Sequence, residues 1–357
     1  MADSVQAPAA EQVAVVSALV SRALAQFEEP ARRQNLRRRS WRVGPWRIEQ
    51  RHLGSSLEDL FYPAWAHLPD GGDGPEGLTV YCVDVQATGF DLGRLPWRAA
   101  DAVNQGLIAG LEGSDYRVCW DQLGHAVHLF DRRRKIGIYA VRSRRDFRGW
   151  ERSIPLRHIL HWWSVAQGGQ LMHAGAVGSA AGGALLLGPS GAGKSTTTLA
   201  CLAGGLSIAS DDFVLVDPLA NPAMIHSVSS TAKLSHAALL RFPELAARVA
   251  NPAEAEPEKA IFFLDHFAPS SLIAAMPLKA LVVLNQRRGR DSALEPVSAA
   301  TALQSCAPNT LFLLPGERAP GFARIAALFR RFPCFRLDLG YELSQIPQRL
   351  KDLLDKL

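Results

Sequence analysis

The stretch GPSGAGKSTTTLACLAGGLSIASDDFVLVD, residues 188–217, begins with a glycine-rich loop and later carries two adjacent carboxylates. Its opening GPSGAGKS matches the pattern GxxxxGK[ST] in full. The apolar run ALLLG at 184–188 predicts a buried strand before the loop, and Ser195 to Ala203 predicts a helix that ends at Gly204. A turn between a strand and a helix is the context that this motif requires. The stretch therefore predicts a phosphate-binding loop in an α/β fold.

The loop is expected to bind phosphate through its backbone. Gly188, Gly191 and Gly193 let the N–H groups turn inward, and the helix N-terminus adds partial positive charge. Lys194 would reach the β- and γ-phosphates, and the Ser195 hydroxyl would hold Mg²⁺. The predicted nucleotide-binding residues are Gly188, Pro189, Ser190, Gly191, Ala192, Gly193, Lys194, Ser195 and Thr196. The expected cofactors are therefore ATP and Mg²⁺.

Asp211 and Asp212 end the predicted strand LSIAS, and FVLVD is expected to continue that strand. Two adjacent carboxylates in an apolar strand repel each other and lose hydration unless a metal or hydrogen-bond donors meet them. Phosphoryl transfer uses one carboxylate near the metal and gains from another that accepts the acceptor's proton. The alternative is a solvated turn, with the metal carboxylate supplied by Asp265 or Asp84, each of which ends an apolar strand.

The pattern of predicted secondary structure changes near residue 150. Residues 9–29 predict an amphipathic helix, and short alternating runs over 30–145, broken by a turn-rich loop at 69–77, predict a small strand-rich domain. Strands and helices alternate after that point. The predicted organisation is a strand-rich domain over 1–150, a candidate for substrate docking, and a phosphate-loop α/β domain over 151–357.

The composition is that of an ordinary globular protein. Of the 357 residues, 48% are hydrophobic and 20% are charged, with a net charge of +5. The five cysteines lie far apart and form no CxxC pair, so neither a disulfide framework nor a zinc site is expected. No secretory signal and no apolar run of membrane-spanning length is evident. These features predict a cytoplasmic protein without a membrane partner.

Most of the positive excess lies before the phosphate loop, in arginine-rich runs at 32–33, 37–39, 132–135 and 142–148. Such runs are usually solvated faces. The alternative is a docking surface for an acidic peptide or protein. No zinc, helix-turn-helix or RNA-binding signature accompanies them, so nucleic acid is not an expected partner. His158 and His161 share one helix face, but the adjacent tryptophans favour packing over metal binding.

The segment HAGAVGSAAGGALLLGPSGAGKSTTTLACLAGGLSIASDDFVLVD, residues 173–217, resembles the catalytic core of the bacterial HPr serine kinases. That core has a His that opens a strand, a second strand leading into the phosphate loop, a helix, and a strand ending in Asp-Asp. The resemblance implies the phosphate-loop fold that these kinases share with ATP-dependent phosphoenolpyruvate carboxykinases. A weaker match extends to the C-terminal helix.

The resemblance also implies roles for individual residues. Asp211 would be the base toward the acceptor hydroxyl, and Asp212 would join Ser195 at the metal. His173 would line the site near the transferred phosphoryl group, unless it is a strand histidine bonded to backbone. Apart from the resemblance, Lys259 or one of Arg287, Arg288 and Arg290 is a candidate for transition-state positive charge; the alternative for each is an ordinary surface charge.

The expected activity is transfer of the ATP γ-phosphate to a Ser or Thr hydroxyl of a small protein or peptide. A divergent branch of the family acts on lasso-type precursor peptides, and a long arginine-rich N-terminal half would suit such an acceptor. Two alternatives stay open: a small-molecule hydroxyl kinase, and an ATPase or nucleotide-gated regulatory module without an acceptor. An oligomer is compatible with either class.

Overall fold

The computed structural model describes residues 10–72, 76–121, 125–251, 259–287 and 289–357. Residue 9 of the predicted first helix, residues 73–75 of the predicted loop, residues 122–124 and Arg288 lie outside the described residues. Within the described ranges, the chain is a mixed α/β protein with two large sheets, which confirms the α/β part of the predicted fold class.

The first part of the chain builds a mixed sheet. Its helices are α1 (Ala10–Glu28), α2 (Pro30–Arg33), α3 (Glu58–Trp65) and α4 (Val85–Thr88). Its strands are β1 (Leu36–Val43), β2 (Trp46–Leu53), β3 (Glu76–Asp84), β4 (Ala102–Val103), β5 (Leu107–Ile108), β6 (Tyr116–Asp121), β7 (Ala126–Asp131) and β8 (Ile136–Val141). They lie in the order β1-β2-β3-β8-β7-β6-β5-β4, with β3 parallel to both of its neighbours.

The second part alternates helices with strands around a larger sheet. Its helices are α5 (Gly149–Ser153), α6 (Arg157–Ala166), α7 (Lys194–Ala203), α8 (His236–Leu239), α9 (Ala299–Leu313), α10 (Arg318–Arg331) and α11 (Gln345–Lys356). Its strands are β9 (Gln170–Met172), β10 (Gly175–Ser179), β11 (Gly182–Leu187), β12 (Ser207–Ser210), β13 (Val214–Asp217), β14 (Met224–Ser227), β15 (Thr231–Leu234), β16 (Ala260–Phe263), β17 (Ala275–Gln286), β18 (Ala293–Pro296) and β19 (Cys334–Leu339).

The strand order of the second sheet positions the predicted site. The order is β12-β10-β11-β17-β14-β13-β9, with β19 also paired to β17 and β18 paired to β19, while β15 and β16 form a separate pair. Strands β11, β17 and β19 run parallel, whereas β10 runs antiparallel to both β11 and β12. The carboxyl ends of β11 and β12 and the amino end of β10 therefore meet at one edge.

The phosphate loop rests on a buried apolar layer. Every residue of β11 is buried, as an apolar run in the middle of a sheet predicts. Leu186 of β11 and Val282 of β17 belong to the same hydrophobic cluster as Leu199 and Cys201 on α7. The strand before the loop and the helix after it are thus fixed to each other by packing.

One hydrophobic cluster joins the two sheets. It contains Trp41 and Phe61 from the first part together with Trp163, Phe213 and Leu215 from the second. The predicted boundary near residue 150 therefore falls beside a continuous core, and the division into domains 1–150 and 151–357 stays a prediction. No described helix has the combination of length and apolar character needed to cross a membrane.

One strand prediction is wrong. FVLVD does not continue β12, because the chain bends at Asp211 and Asp212 and then enters β13. Strand β13 pairs with β9 and β14 on the other side of the second sheet. Apolar periodicity is the same on both sides of the bend, so it gave no signal that the two carboxylates stand at a change of direction.

Candidate nucleotide and phosphoryl-transfer site

The loop over 188–193 has a backbone that demands glycine. Gly188, Gly191 and Gly193 have φ values of 148°, 84° and 101°, a region in which side chains are strained. A Cβ on Gly193 would also stand 2.6 Å from Leu339 Cδ1. Helix α7 begins directly after Gly193. The sequence thus forms a glycine loop at a helix N-terminus, the arrangement that presents N–H groups to an anion.

The side chain of Lys194, the first residue of α7, folds back onto this loop. Its Nζ donates hydrogen bonds to the carbonyl oxygens of Gly188 at 2.9 Å and Pro189 at 3.2 Å. Burial lowers the pKa of Lys194, whereas Asp212 and Asp211 act in the opposite direction. The ammonium group is therefore held at the loop by weak carbonyl acceptors that a phosphate would replace.

The sheet brings Asp211, Asp212 and His173 to the same edge as the loop. Asp211 and Asp212 follow β12, and His173 stands two residues before β10. Strand β10 separates β12 from β11, so the carboxylates come from the second strand away from the loop rather than from its neighbour.

Asp211 is buried, with 1% of its surface exposed. Its Oδ2 accepts a hydrogen bond from the Lys233 backbone N–H at 3.0 Å. Burial and the neighbouring Asp212 raise the pKa of Asp211 to about 6, although hydrogen bonds from Ser195 and from the Lys233 backbone act against the rise. A carboxylate whose pKa is close to neutral pH, and which lines the same cleft as the predicted magnesium residue Ser195, is suited to accept a proton.

Asp212 is held ionised by two side chains. Its Oδ2 lies 2.6 Å from Lys233 Nζ, and its Oδ1 lies 3.2 Å from His173 Nε2. Burial alone would raise the pKa of Asp212, but Lys233 and His173 outweigh burial and hold it well below its usual range. Burial lowers the pKa of His173 despite Asp212, and its ring stacks on Phe213 with centroids 5.0 Å apart. Asp212 thus remains an anion at neutral pH.

These groups line one cleft of about 220 Å³. The sequence-predicted residues that line it are His173, Ser190, Gly191, Gly193, Lys194, Ser195, Thr196, Asp211, Asp212 and Lys259. Gly188, Pro189 and Ala192 lie within the loop without lining the cleft, and Arg287 and Arg290 do not line it.

Sequence reasoning missed Lys233, Ser235 and Gln286, which also line the cleft. Gln286 Nε2 donates to the Gly191 carbonyl at 2.5 Å and so fastens the end of β17 to the loop. Lys233 reaches the site because the separate β15–β16 pair lies over it. None of these three residues belongs to a sequence motif that predicts a function. The one indication in the sequence is the position of Lys233, a lysine inside the short apolar strand Thr231–Leu234.

The two rival carboxylates have other roles. Asp84 Oδ1 accepts from the Ala87 N–H at 3.0 Å and caps α4, while its Oδ2 accepts from the Arg144 N–H. Asp265 Oδ1 accepts from the Ser230 hydroxyl at 3.0 Å. Neither residue lines the cleft. The pair after β12 is therefore the carboxylate set that faces the loop.

The donor set fits Mg²⁺ bound together with a nucleotide. Among the described residues, no group of three or more His, Cys, Asp or Glu side chains could hold a metal ion by itself. A magnesium ion at a phosphate loop needs fewer protein ligands, because phosphate oxygens and water complete its shell. The Ser195 hydroxyl and the buried carboxylates offer the hard oxygen ligands that this ion prefers.

His158 and His161 lie in the packed interior of the protein. Both rings are buried, and His158 packs against the rings of His128 and Trp162 at centroid distances of 4.8 Å and 6.2 Å. The packing interpretation of this helix face agrees with these ring contacts.

The described cysteines at 82, 119, 201 and 334 are buried and form no disulfide.

No protein-family model matches this chain, and no curated protein matches it. Among solved structures, the chain is similar to one described as the Hpr(Ser) kinase/phosphatase from Coxiella burnetii. The alignment covers 52% of this chain and 95% of that chain, at 10% identity and a TM-score of 0.29. A likeness at that level carries no argument about activity, so the interpretation of the site rests on its own geometry.

The raised pKa of Asp211 predicts a gain of stability when its charge is removed. Above its unfolded value near 3.8, ionisation of Asp211 is easier in the unfolded chain, so the folded protein loses stability as pH rises through about 6. Asp211→Asn should therefore raise the free energy of unfolding of the ligand-free protein at pH 8, by up to about 3 kcal/mol. The gain should shrink toward pH 4.

Urea denaturation at both pH values, without nucleotide or Mg²⁺, measures this effect. Asp265→Asn is the matched control, because Asp265 lies outside the cleft and bonds Ser230. A gain of equal size at both pH values, or a loss at pH 8, would contradict the interpretation of Asp211 as a group that is costly to ionise.

Proposed function

We propose that the protein is an ATP-dependent kinase that transfers the γ-phosphate to a Ser or Thr hydroxyl of a small protein or peptide. The observation that carries the proposal is the cleft in which the phosphate loop faces a buried carboxylate with a pKa near 6. A site that only binds nucleotide has no need of a second buried carboxylate beside a charged one, since the pair costs stability. A proton acceptor for a hydroxyl nucleophile explains it.

Each residue has a task in this mechanism. The loop amides and Lys194 bind the phosphates, and Lys194 moves from two carbonyl oxygens to the negatively charged ligand. Asp211 accepts the proton of the acceptor hydroxyl at a carboxylate oxygen. Bound Mg²⁺ would supply charge neutralisation at the transferred group, held by Ser195 and Asp212.

Two lysines add positive charge at the same place. Lys233 Nζ lies against Asp212, and Lys259 also lines the cleft. Charge spreads over the oxygens of the transferred phosphoryl group in the transition state, and preorganised cations stabilise it there. Lys233 also keeps Asp212 ionised, so Asp211 and not Asp212 is left to take the proton.

Radioactive ATP tests the proposal directly. The full-length protein is incubated with [γ-³²P]ATP, Mg²⁺ and candidate acceptors, starting with neighbouring gene products and precursor peptides of the lasso type. Labelled phosphoserine or phosphothreonine in an acceptor is the expected result. Rapid release of inorganic phosphate that no acceptor changes would instead identify an ATPase, and label in a metabolite would identify a small-molecule kinase.

The arginine-rich runs are proposed to attract the acceptor by charge. Several of these arginines are already paired, since Arg37 and Arg39 contact Glu58 and Arg142 contacts Asp146. Others, such as Arg133, are exposed. The surface that remains for docking is therefore smaller than the sequence suggests.

The salt dependence of KM should distinguish arginines that attract the acceptor from arginines that are only solvated surface charges. If the arginines attract the acceptor, raising the salt concentration from 50 to 300 mM should increase the acceptor's KM several-fold more than the KM of ATP. Steady-state kinetics with each substrate varied in turn measure both constants. Equal salt responses would show that the arginines are a solvated surface.

A further inference from the structure

A second pocket of about 640 Å³ lies apart from the nucleotide cleft. Its walls carry the side chains of Trp120, Trp150 and Leu313, and the polar residues that line it are Asn104, Gln105, Asp121, Arg157 and His158. Asp121 already has an interaction partner, so it is not a free carboxylate in this pocket. It shares no lining residue with the nucleotide cleft. The volume is within the range of small-molecule sites, and aromatic walls with a few convergent polar groups are their usual composition.

Arg157 is a buried cation that forms no ion pair with an acidic side chain among the described residues. Only 9% of its surface is exposed, and its Nε is buried without a hydrogen-bond partner. Its guanidinium carbon lies 4.3 Å from the centroid of the Trp150 ring and 5.5 Å from that of the Phe213 ring. Burying a charge that is paired only with aromatic faces costs folding free energy, and a bound anion would offset that cost.

The charges around Arg157 do not remove that cost. Asp212 and Glu151 act on it at longer range, but Asp212 is already paired with the Lys233 ammonium and hydrogen-bonded by His173. Burial raises the pKa of Glu151 to about 7, so this carboxyl is only partly ionised at neutral pH. Neither acid therefore serves as a full counter-ion.

Two further features of the pocket favour an anion. Arg157 is the first residue of α6, where the helix N-terminus adds positive charge and no side chain caps the first turn. His158, next along the helix, is buried, and neither of its ring nitrogens has a hydrogen-bond partner. Arginine and a histidine N–H are the donors that bind carboxylates and phosphates.

We propose that the pocket around Arg157 and His158 binds a small anion, a carboxylate or phosphate ester with an aromatic or apolar body. The guanidinium and the imidazole bind the charged group, and Trp120 and Trp150 pack against the body of the ligand. The proposal does not depend on the kinase activity. Phe213 contacts both the Arg157 guanidinium, at 5.5 Å, and the His173 ring, at 5.0 Å, so one aromatic side chain links a residue of this pocket to a residue of the nucleotide cleft.

Binding of model anions to the full-length protein tests the proposal. The probes are phenyl phosphate and 3-phenylpropionate, with 3-phenyl-1-propanol as the neutral analogue, followed by tryptophan fluorescence and isothermal titration calorimetry. A Lys194→Ala background removes phosphate binding at the loop. We expect saturable binding of at least one anion in this background and at least tenfold weaker binding of the alcohol.

Variants locate the site. Arg157→Met should weaken anion binding at least tenfold, and Arg157→Lys should weaken it less because the charge remains. Arg133→Met removes an exposed arginine and should leave binding unchanged. If Arg157→Met does not fold, the lysine variant and His158→Gln, which should also weaken binding, still decide the question. Equal affinity for anion and alcohol, unchanged affinity in these variants, or no anion binding up to 10 mM would each overturn the proposal.

Discussion

Lys194→Ala should reduce phosphoryl transfer by roughly 10²–10³-fold or more while the protein keeps its fold. The ammonium contributes charge at the phosphates, and its hydrogen bonds to described residues go to two carbonyl oxygens of the loop. Those oxygens can bond water when the side chain is removed. Turnover of ATP and the thermal unfolding midpoint, measured on the same preparation, report the two expectations separately.

The matched control is Lys351→Ala. Lys351 Nζ also donates to a backbone carbonyl, that of Gly204 at 2.6 Å, but it does so at the opposite end of α7. This variant should keep full turnover. Wild-type turnover in Lys194→Ala would remove the phosphate-loop interpretation, and a similar loss in both variants would indicate damage to the helix instead of lost phosphate binding.

Replacing Asp211 and Asp212 separately by Asn should give two different defects. Asn keeps the size of the side chain but is a poor proton acceptor and a weaker metal ligand. In Asp211→Asn, ATP and Mg²⁺ should still bind while kcat falls by roughly 10²–10⁴-fold, the usual contribution of a positioned base. In Asp212→Asn, the Mg²⁺ concentration for half-maximal activity should rise, and excess Mg²⁺ should restore part of the rate.

Magnesium titrations of kcat in the two variants, with Asp265→Asn as control, measure this division of work. The reverse pattern would exchange the two roles and keep the mechanism. Wild-type transfer in both variants would show that neither carboxylate takes part. The same Asp211→Asn protein is expected to be more stable at pH 8, so loss of activity cannot be attributed to unfolding.

The sequence predicted the local elements of the site better than their assembly. The strand, loop and helix around Lys194 follow from one contiguous motif, because glycine positions and apolar periodicity act over short distances. The approach of Asp211 to the loop depends on strand order, which periodicity does not encode. The structure brings the pair to the phosphate loop from a strand that is not next to β11, because β10 lies between β11 and β12.

Lys233 and Arg157 could not have been predicted for a different reason. Lys233 enters the cleft through the separate strand pair β15–β16, and a lysine in a short strand resembles any surface lysine. Arg157 looks like one more member of an arginine-rich sequence, yet it is buried between aromatic rings. In both cases the role proposed for the side chain depends on its surroundings in the folded protein and not on its residue type.

Because β10 lies between β11 and β12, it sets the distance between the strand that leads into the phosphate loop and the strand that precedes Asp211. Neighbouring strands lie about 4.8 Å apart, so the backbones of β11 and β12 are separated by about 10 Å. An attacking oxygen stands about 3 Å from the phosphorus and about 3 Å from the carboxylate that takes its proton. One intervening strand therefore leaves room for a phosphoryl group, a hydroxyl and a proton acceptor in a row. This width is fixed by the hydrogen bonds of a sheet, so it should be insensitive to the length of the loops that join its strands.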